Sequence, residues 1–336
     1  MTIEHEQDNA LADVYEDSST VGDVRARDRD GSLPRSEYRP QPLRSDSLIW
    51  RYYGDRRRVM LGGRAGTTEN MYPQLGQAVS DHSVIFKDLA ERVRRSDLAI
   101  LDAVYGSDPR ATALKIRNYH KPLKGVMSDG SKYDGTPYKA LDPETFYWAH
   151  ATFLDMMYTF ADRFIRRLSP AEKEQLFQES RAWYSLYGVD DSAQPSSYAE
   201  FREYWDRNLR EELVGHTKVA RYTVGYVRKG ITRAVPPPPQ VPSWLWKKVL
   251  APTIDRVYAF IGAGGLDPIL REKLDIPWSR GQQRRYDLFC AAFRALDPLW
   301  ERFAPLRWRY VRQAVDAFDR EGVDPRTLKC QGPAPD

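Results

Sequence analysis

Asp142-Pro143-Glu144-Thr145-Phe146-Tyr147-Trp148-Ala149-His150-Ala151-Thr152-Phe153-Leu154-Asp155, continuing to Leu168, decides the fold. Asp142 suits a helix N-cap, and Pro143 suits the first helical position, where a missing N–H costs nothing. Phe146, Ala149, His150, Phe153, Met157, Phe160, Phe164 and Leu168 then recur at helical spacing. At about 1.5 Å per residue, a helix from Pro143 to Leu168 spans roughly 39 Å, the width of a domain. Asp155, Asp162 and Arg163 exclude a bilayer-spanning reading, so the pattern predicts a core helix carrying one histidine on an aromatic face.

The flanking sequence predicts more helices. Ser169-Pro170-Ala171-Glu172 is an N-terminal signature for a helix that runs to Tyr187 and stops at Gly188. Upstream, Asp88 to Tyr105 and the stretch from Asp108-Pro109 to His120 are amphipathic. The loop over 126–141 has room for a short hairpin around Lys132-Tyr133 and Pro137-Tyr138. Downstream, Ser197 to Leu213, Trp244 to Ile261, Asp267 to Lys273, Ser279 to Leu296 and Leu299 to Arg320 read as helices. Gly262-Ala263-Gly264-Gly265 is expected to cap one of them. Without βαβ alternation or internal repeats, the fold class is all-α: a single large domain of about ten helices on this pattern.

Residues 1–45 form an acidic, polar tail with the composition of a disordered segment. The folded domain is placed at 46–322, with a proline-rich connector at 235–242 inside it and a tail at 323–336. The 336 residues are 41% hydrophobic, enough for a large core. The 51 basic and 47 acidic residues are interspersed, which gives no case for nucleic acid. Cys290 and Cys330 have neither metal nor redox spacing. No signal-peptide core or long uninterrupted apolar run occurs, so the expectation is a cytoplasmic protein with no transmembrane segment.

The five histidines are His5, His82, His120, His150 and His216. None lie three or four apart, and there is no HExxH, so a zinc protease is unsupported. A di-iron helix would place glutamate three residues before the histidine, where this chain has Tyr147. Neither a P-loop nor a GxSxG elbow occurs. His150 therefore reads either as a hydrogen-bonded core residue or as an axial haem ligand. In the second case a neutral imidazole binds iron through one nitrogen and donates a hydrogen bond from the other. Arg117, Lys121 and Lys124 are candidate partners for haem propionates, or simply a basic helix end.

One set of residues resembles a known family: Arg64; Asn70-Met71-Tyr72-Pro73; Asp81-His82-Ser83; Arg117-Asn118-Tyr119-His120-Lys121 with Gly125; Tyr138-Lys139-Ala140-Leu141-Asp142-Pro143; and Trp148-Ala149-His150-Ala151-Thr152. In this order they resemble the MpaB-like oxygenases, with the latex-clearing (rubber) oxygenases as a more distant branch. The resemblance covers roughly residues 45–310. It implies an all-helical fold around a non-covalent haem b, with His150 as the proximal iron ligand and Arg117 in the haem pocket. The rubber-cleaving branch has lysine and threonine at the third and fourth positions after that arginine, where this chain has His120 and Lys121. His120 and Lys121 are thus candidates for distal ligand or proton donor. Asp102 is the nearest candidate for the acidic base that branch uses one helix earlier. The implied function is a haem-dependent oxygenase that turns O₂ on an apolar, isoprenoid-like or terpenoid-like substrate. Two other readings stay open at this point: a non-catalytic haem carrier or sensor, and a cofactor-free helical interaction protein.

Overall fold

The computed structural model describes residues 31–33, 37–41, 43–232 and 237–328. His5, Cys330 and most of the expected tails lie outside them. Helices α1 (Leu48–Tyr53), α2 (Gly62–Asn70), α3 (Pro73–His82), α4 (Leu89–Tyr105) and α5 (Pro109–His120) come first. Strands β1 (Lys124–Val126) and β2 (Pro137–Lys139) follow, then α6 (Pro143–Phe160), α7 (Pro170–Ser185), α8 (Tyr198–Arg207) and α9 (Lys218–Lys229). The C-terminal part holds α10 (Ala251–Gly265), α11 (Pro268–Lys273), α12 (Arg280–Phe303), α13 (Leu306–Arg309) and α14 (Arg312–Glu321). Among the described residues the fold is all-α apart from one antiparallel hairpin, β1–β2.

Helix α6 is the axis. The spacing predicted one apolar face, yet residues on nearly every side are buried, from Thr145 to Phe160. A helix enclosed all round must be surrounded by others. Helices α1, α2, α3 and α7 pack on it directly, and α9 and α10 pack on α2. Pro143 occupies the first turn as expected, but the Asp142 side chain makes no capping hydrogen bond. The full reciprocal capping box is at α7 instead: Ser169 Oγ accepts from Glu172 N, and Glu172 Oε2 accepts from Ser169 N. Such caps contribute about 1 kcal/mol each.

The structure corrects three boundaries. The helical α6 path ends short of Leu168, in a π turn over Ala161–Ile165. Arg294 Nη1 donates to the carbonyls of Asp162 and Arg163 there, satisfying oxygens that a helix end leaves unpaired. Helix α12 runs unbroken through Pro298, where two helices were expected. The neighbouring Asp297 is buried and ion-paired with Arg57 at 2.7 Å, which anchors the turn whose hydrogen bond proline removes. Gly264 and Gly265 lie within α10 rather than capping it. A Cβ on Gly264 would come within 2.3 Å of the Tyr286 ring, so close packing of α12 accounts for that glycine.

The hairpin exists, but its strands are Lys124–Val126 and Pro137–Lys139, with Lys132-Tyr133 in the loop between them. At the other end, Ser32 bridges Val189 and Leu33 N donates to Gly188 O at 2.8 Å, so packing begins before residue 45. No helix among the described residues is long and apolar enough to cross a membrane.

Candidate functional site

His150 sits on the α6 face that meets α7 and is 3% exposed. Its ring is enclosed by Trp183 at 4.8 Å, Tyr184 at 5.1 Å, and Tyr147 and Tyr187 at 6.2 Å between centroids. Nε2 lies 2.8 Å from Ser180 Oγ and 3.2 Å from Ser180 O. A carbonyl can only accept, so Nε2 carries the proton and Nδ1 the lone pair. That Nδ1 is buried and finds no hydrogen-bond partner among the described residues. Burial pushes the imidazole pKa down to about 3, with the Ser180 carbonyl opposing, so the ring is neutral at physiological pH.

Other polar atoms around His150 are also left over. Tyr147 Oη and Trp183 Nε1 are buried without a hydrogen-bond partner among the described residues. Unpaired buried polar groups each cost on the order of 1–3 kcal/mol, and folded proteins keep few of them. Three such atoms, His150 Nδ1, Tyr147 Oη and Trp183 Nε1, belong to rings in contact at this point of the core.

His120 joins the same shell from the other side. Its ring is 5.8 Å from Phe146, which in turn contacts Tyr184 and Tyr187. Nδ1 bonds to Ile116 O at 2.7 Å, which leaves Nε2 with the lone pair. Burial lowers its pKa as well. The two histidines therefore flank one aromatic cluster.

The remaining predicted residues are less central. Arg117 lies at the rim: it donates to Asn118 Oδ1 at 3.1 and 3.0 Å and reaches the turn at Gly188, next to Tyr187. Lys121 is exposed at the C-cap of α5, and Lys124 is exposed on β1. Asp102 accepts a hydrogen bond from Thr112, across the α4–α5 seam. His82 is exposed at the end of α3, 3.1 Å from Tyr138 Oη, which also donates to Asp81 at 2.7 Å. His216 is exposed. Among the described residues, no group of three His, Cys, Asp or Glu side chains is arranged to hold a metal.

The motif residues converge from distant parts of the chain. Trp148 stacks on Tyr72 at 5.8 Å and on Trp205 at 4.8 Å. Arg64 is buried and grips Asp155 through Nε at 2.8 Å and Nη2 at 2.6 Å. The same Nη2 reaches Asp267 at 2.9 Å, and Nη1 donates to Gly265 O at 2.5 Å.

The chain matches the family model for the catalytic domain of the ER-bound oxygenase mpaB/B′ and rubber oxygenase over residues 50–295. It belongs to that family. This mpaB/rubber-oxygenase family member is 22% identical to an uncharacterised protein of Mycobacterium bovis over 257 residues, 72% of this chain and 88% of the relative. The same figures hold for an uncharacterised protein of Mycobacterium tuberculosis. No solved structure matches the chain.

Sequence reasoning missed Ser180, Trp183 and Tyr184, because only the tertiary fold brings their helix to His150. It also missed the partners of Asp155. The one available signal was the spacing of Ser180, Trp183 and Tyr184, which puts them on one face of α7, with Tyr187 just beyond its end.

Proposed function

We propose that this protein is a haem b-dependent oxygenase with His150 as the iron ligand, working in the cytoplasm on O₂ and an apolar, isoprenoid-like or terpenoid-like substrate. The observation that carries the reading is the His150 imidazole: neutral, buried, held at Nε2 by Ser180 and unpartnered at Nδ1. One nitrogen with a free lone pair and the other fixed by a hydrogen bond is the donor chemistry an axial histidine needs. A haem bound here would supply the iron at which O₂ is activated.

The chain's own residues have distinct parts in this reading. Ser180 fixes the tautomer and the plane of the His150 ring. Tyr147, Trp183, Tyr184 and Tyr187 pack closely around the imidazole and exclude water from it. Arg117 and Lys121 are the cations that would pair with the haem propionates in this reading. His120, with its Nε2 lone pair, would take or give a proton beside the cluster in this reading. Asp102 could act as a base only by giving up Thr112.

Oxygen consumption separates this reading from a carrier. Haem-loaded protein, supplied with a reductant and a panel of isoprenoids and terpenoids, is expected to consume O₂ with at least one of them. A haem carrier or sensor would retain the cofactor and consume none.

A further inference from the structure

Residues 31–33 and 37–41 lie across the C-terminal end of α7, where its wall of the His150 shell passes into a turn. Ser32 pairs with Val189 in an antiparallel bridge: Leu33 N donates to Gly188 O at 2.8 Å, and Asp190 N donates to Gly31 O at 2.9 Å. Tyr38 Oη donates to Leu186 O at 2.9 Å, and Gln41 N donates to Ser185 Oγ at 2.7 Å. These bonds bracket Tyr187 on both sides. The Tyr187 ring lies 6.2 Å from His150 and 5.4 Å from Phe146.

The same segment touches the other walls of the seam. Gly31 has φ +91°, and a Cβ there would stand 1.8 Å from the Leu141 carbonyl oxygen, just before α6. Arg110 of α5 lies over the Tyr38 ring at 5.1 Å. A Cβ on Gly188 would meet the Tyr38 ring at 3.1 Å and Arg117 Nη1 at 3.2 Å. The segment therefore reaches α5, the approach to α6 and the end of α7 together.

Tyr187 is held differently from the other rings around the imidazole. Trp183 and Tyr184 belong to α7 and Tyr147 to α6, whereas Tyr187 lies past the end of α7 in the turn that the segment grips. Within the gripping segment only Ser32 is buried among the described residues, and Glu37, Arg39 and Gln41 are exposed. A segment held by surface hydrogen bonds over little buried area opens more readily than the helices beneath it.

We propose that residues 31–33 and 37–41 are a strap: closed, it holds Tyr187 against His150, and its release opens the shell at that ring and exposes the imidazole. The inference takes His150 as the site but does not need haem there.

Diethyl pyrocarbonate, which acylates neutral imidazole, tests this on the full chain without haem, with His150 read by mass spectrometry. Ser32 and Val189 form a non-hydrogen-bonded pair, whose Cα atoms stand about 4.5 Å apart, within reach of a disulfide. In Ser32→Cys/Val189→Cys, His150 labels about tenfold more slowly with the disulfide formed than after its reduction. Tyr38→Ala removes the bond to Leu186 O, and Gly31→Val pushes the segment off Leu141. Each speeds His150 labelling about tenfold, the shift in opening expected from a lost hydrogen bond, while the exposed His82 labels at the wild-type rate. Comparing oxidised and reduced forms of one protein keeps the test clear of any folding defect in the substitutions. The proposal is overturned if His150 labels at the same rate in both forms, or if Tyr38→Ala and Gly31→Val both label as slowly as the wild type. Labelling that follows the lock supports the strap even in a protein that takes up no haem, so this inference and the haem reading fail separately.

Discussion

His150 and Asp155 are buried polar residues on the same helix, five positions and about 7.5 Å of rise apart. Their surroundings are opposite. Asp155 lies in a saturated knot: Arg64 donates to it twice and also reaches Asp267 and the Gly265 carbonyl. Burial pushes the Asp155 carboxyl up against the pull of Arg64, whereas at Asp267 Arg64 outweighs burial and holds the carboxyl below the usual range. Among the described residues His150 hydrogen-bonds only to Ser180, and one imidazole nitrogen has no partner. A saturated buried group ties elements together, here α2, α6 and α11. An unsaturated one at the centre of an aromatic shell keeps a lone pair that the fold itself does not use.

The saturated side should yield the largest effect. Arg64→Met leaves Asp155 buried beside Asp267 without its main cation and should cost about 3–5 kcal/mol, measured by chemical denaturation. A cost below about 1 kcal/mol would place the knot among interactions that contribute little.

Acid should act through the unsaturated side. His150 has its folded pKa lowered from 6.5 to about 3. Between those values the unfolded chain binds a proton that the folded chain does not, so stability falls as pH falls through that window. This group contributes up to about 1.4 kcal/mol per pH unit. His150→Gln should flatten the stability profile between pH 6 and 4, about the span between the two values. An unchanged profile would mean that the ring is protonated or solvated in the folded state.

Ser180→Ala should have the smallest effect, about 1 kcal/mol, because the Ser180 carbonyl at 3.2 Å still accepts from Nε2. If His150 is a ligand, the same change should also weaken haem retention about tenfold, as loss of a partner behind a ligating imidazole does. Loss of stability with unaltered retention would confine Ser180 to the fold.

How much of this was legible in the sequence follows the same division. The start of α6, its core position and its single histidine are local features, written in Pro143 and in apolar spacing. The overshoot to Leu168 arose because the apolar pattern continues through Phe164 while the backbone passes into a π turn that Arg294, from α12, caps. Pro298 suggested a break that the buried ion pair of Asp297 prevents. Asp155 was read only as a charge incompatible with a bilayer, since its partner Arg64 is 91 residues away. Ser180 was equally hidden, 30 residues from the imidazole it holds. The segment from Arg117 to Lys121 could be singled out by motif, but the motif gave no hint that His120 would face the aromatic cluster while Lys121 faced solvent.

The most direct test of His150 as a haem ligand is the absorption spectrum of the full chain purified from haem-replete cells, beside its His150→Ala variant. The wild type should show a Soret band that the variant lacks while remaining folded. A wild type without the band would contradict haem binding, and an identical band in both proteins would contradict the assignment of His150.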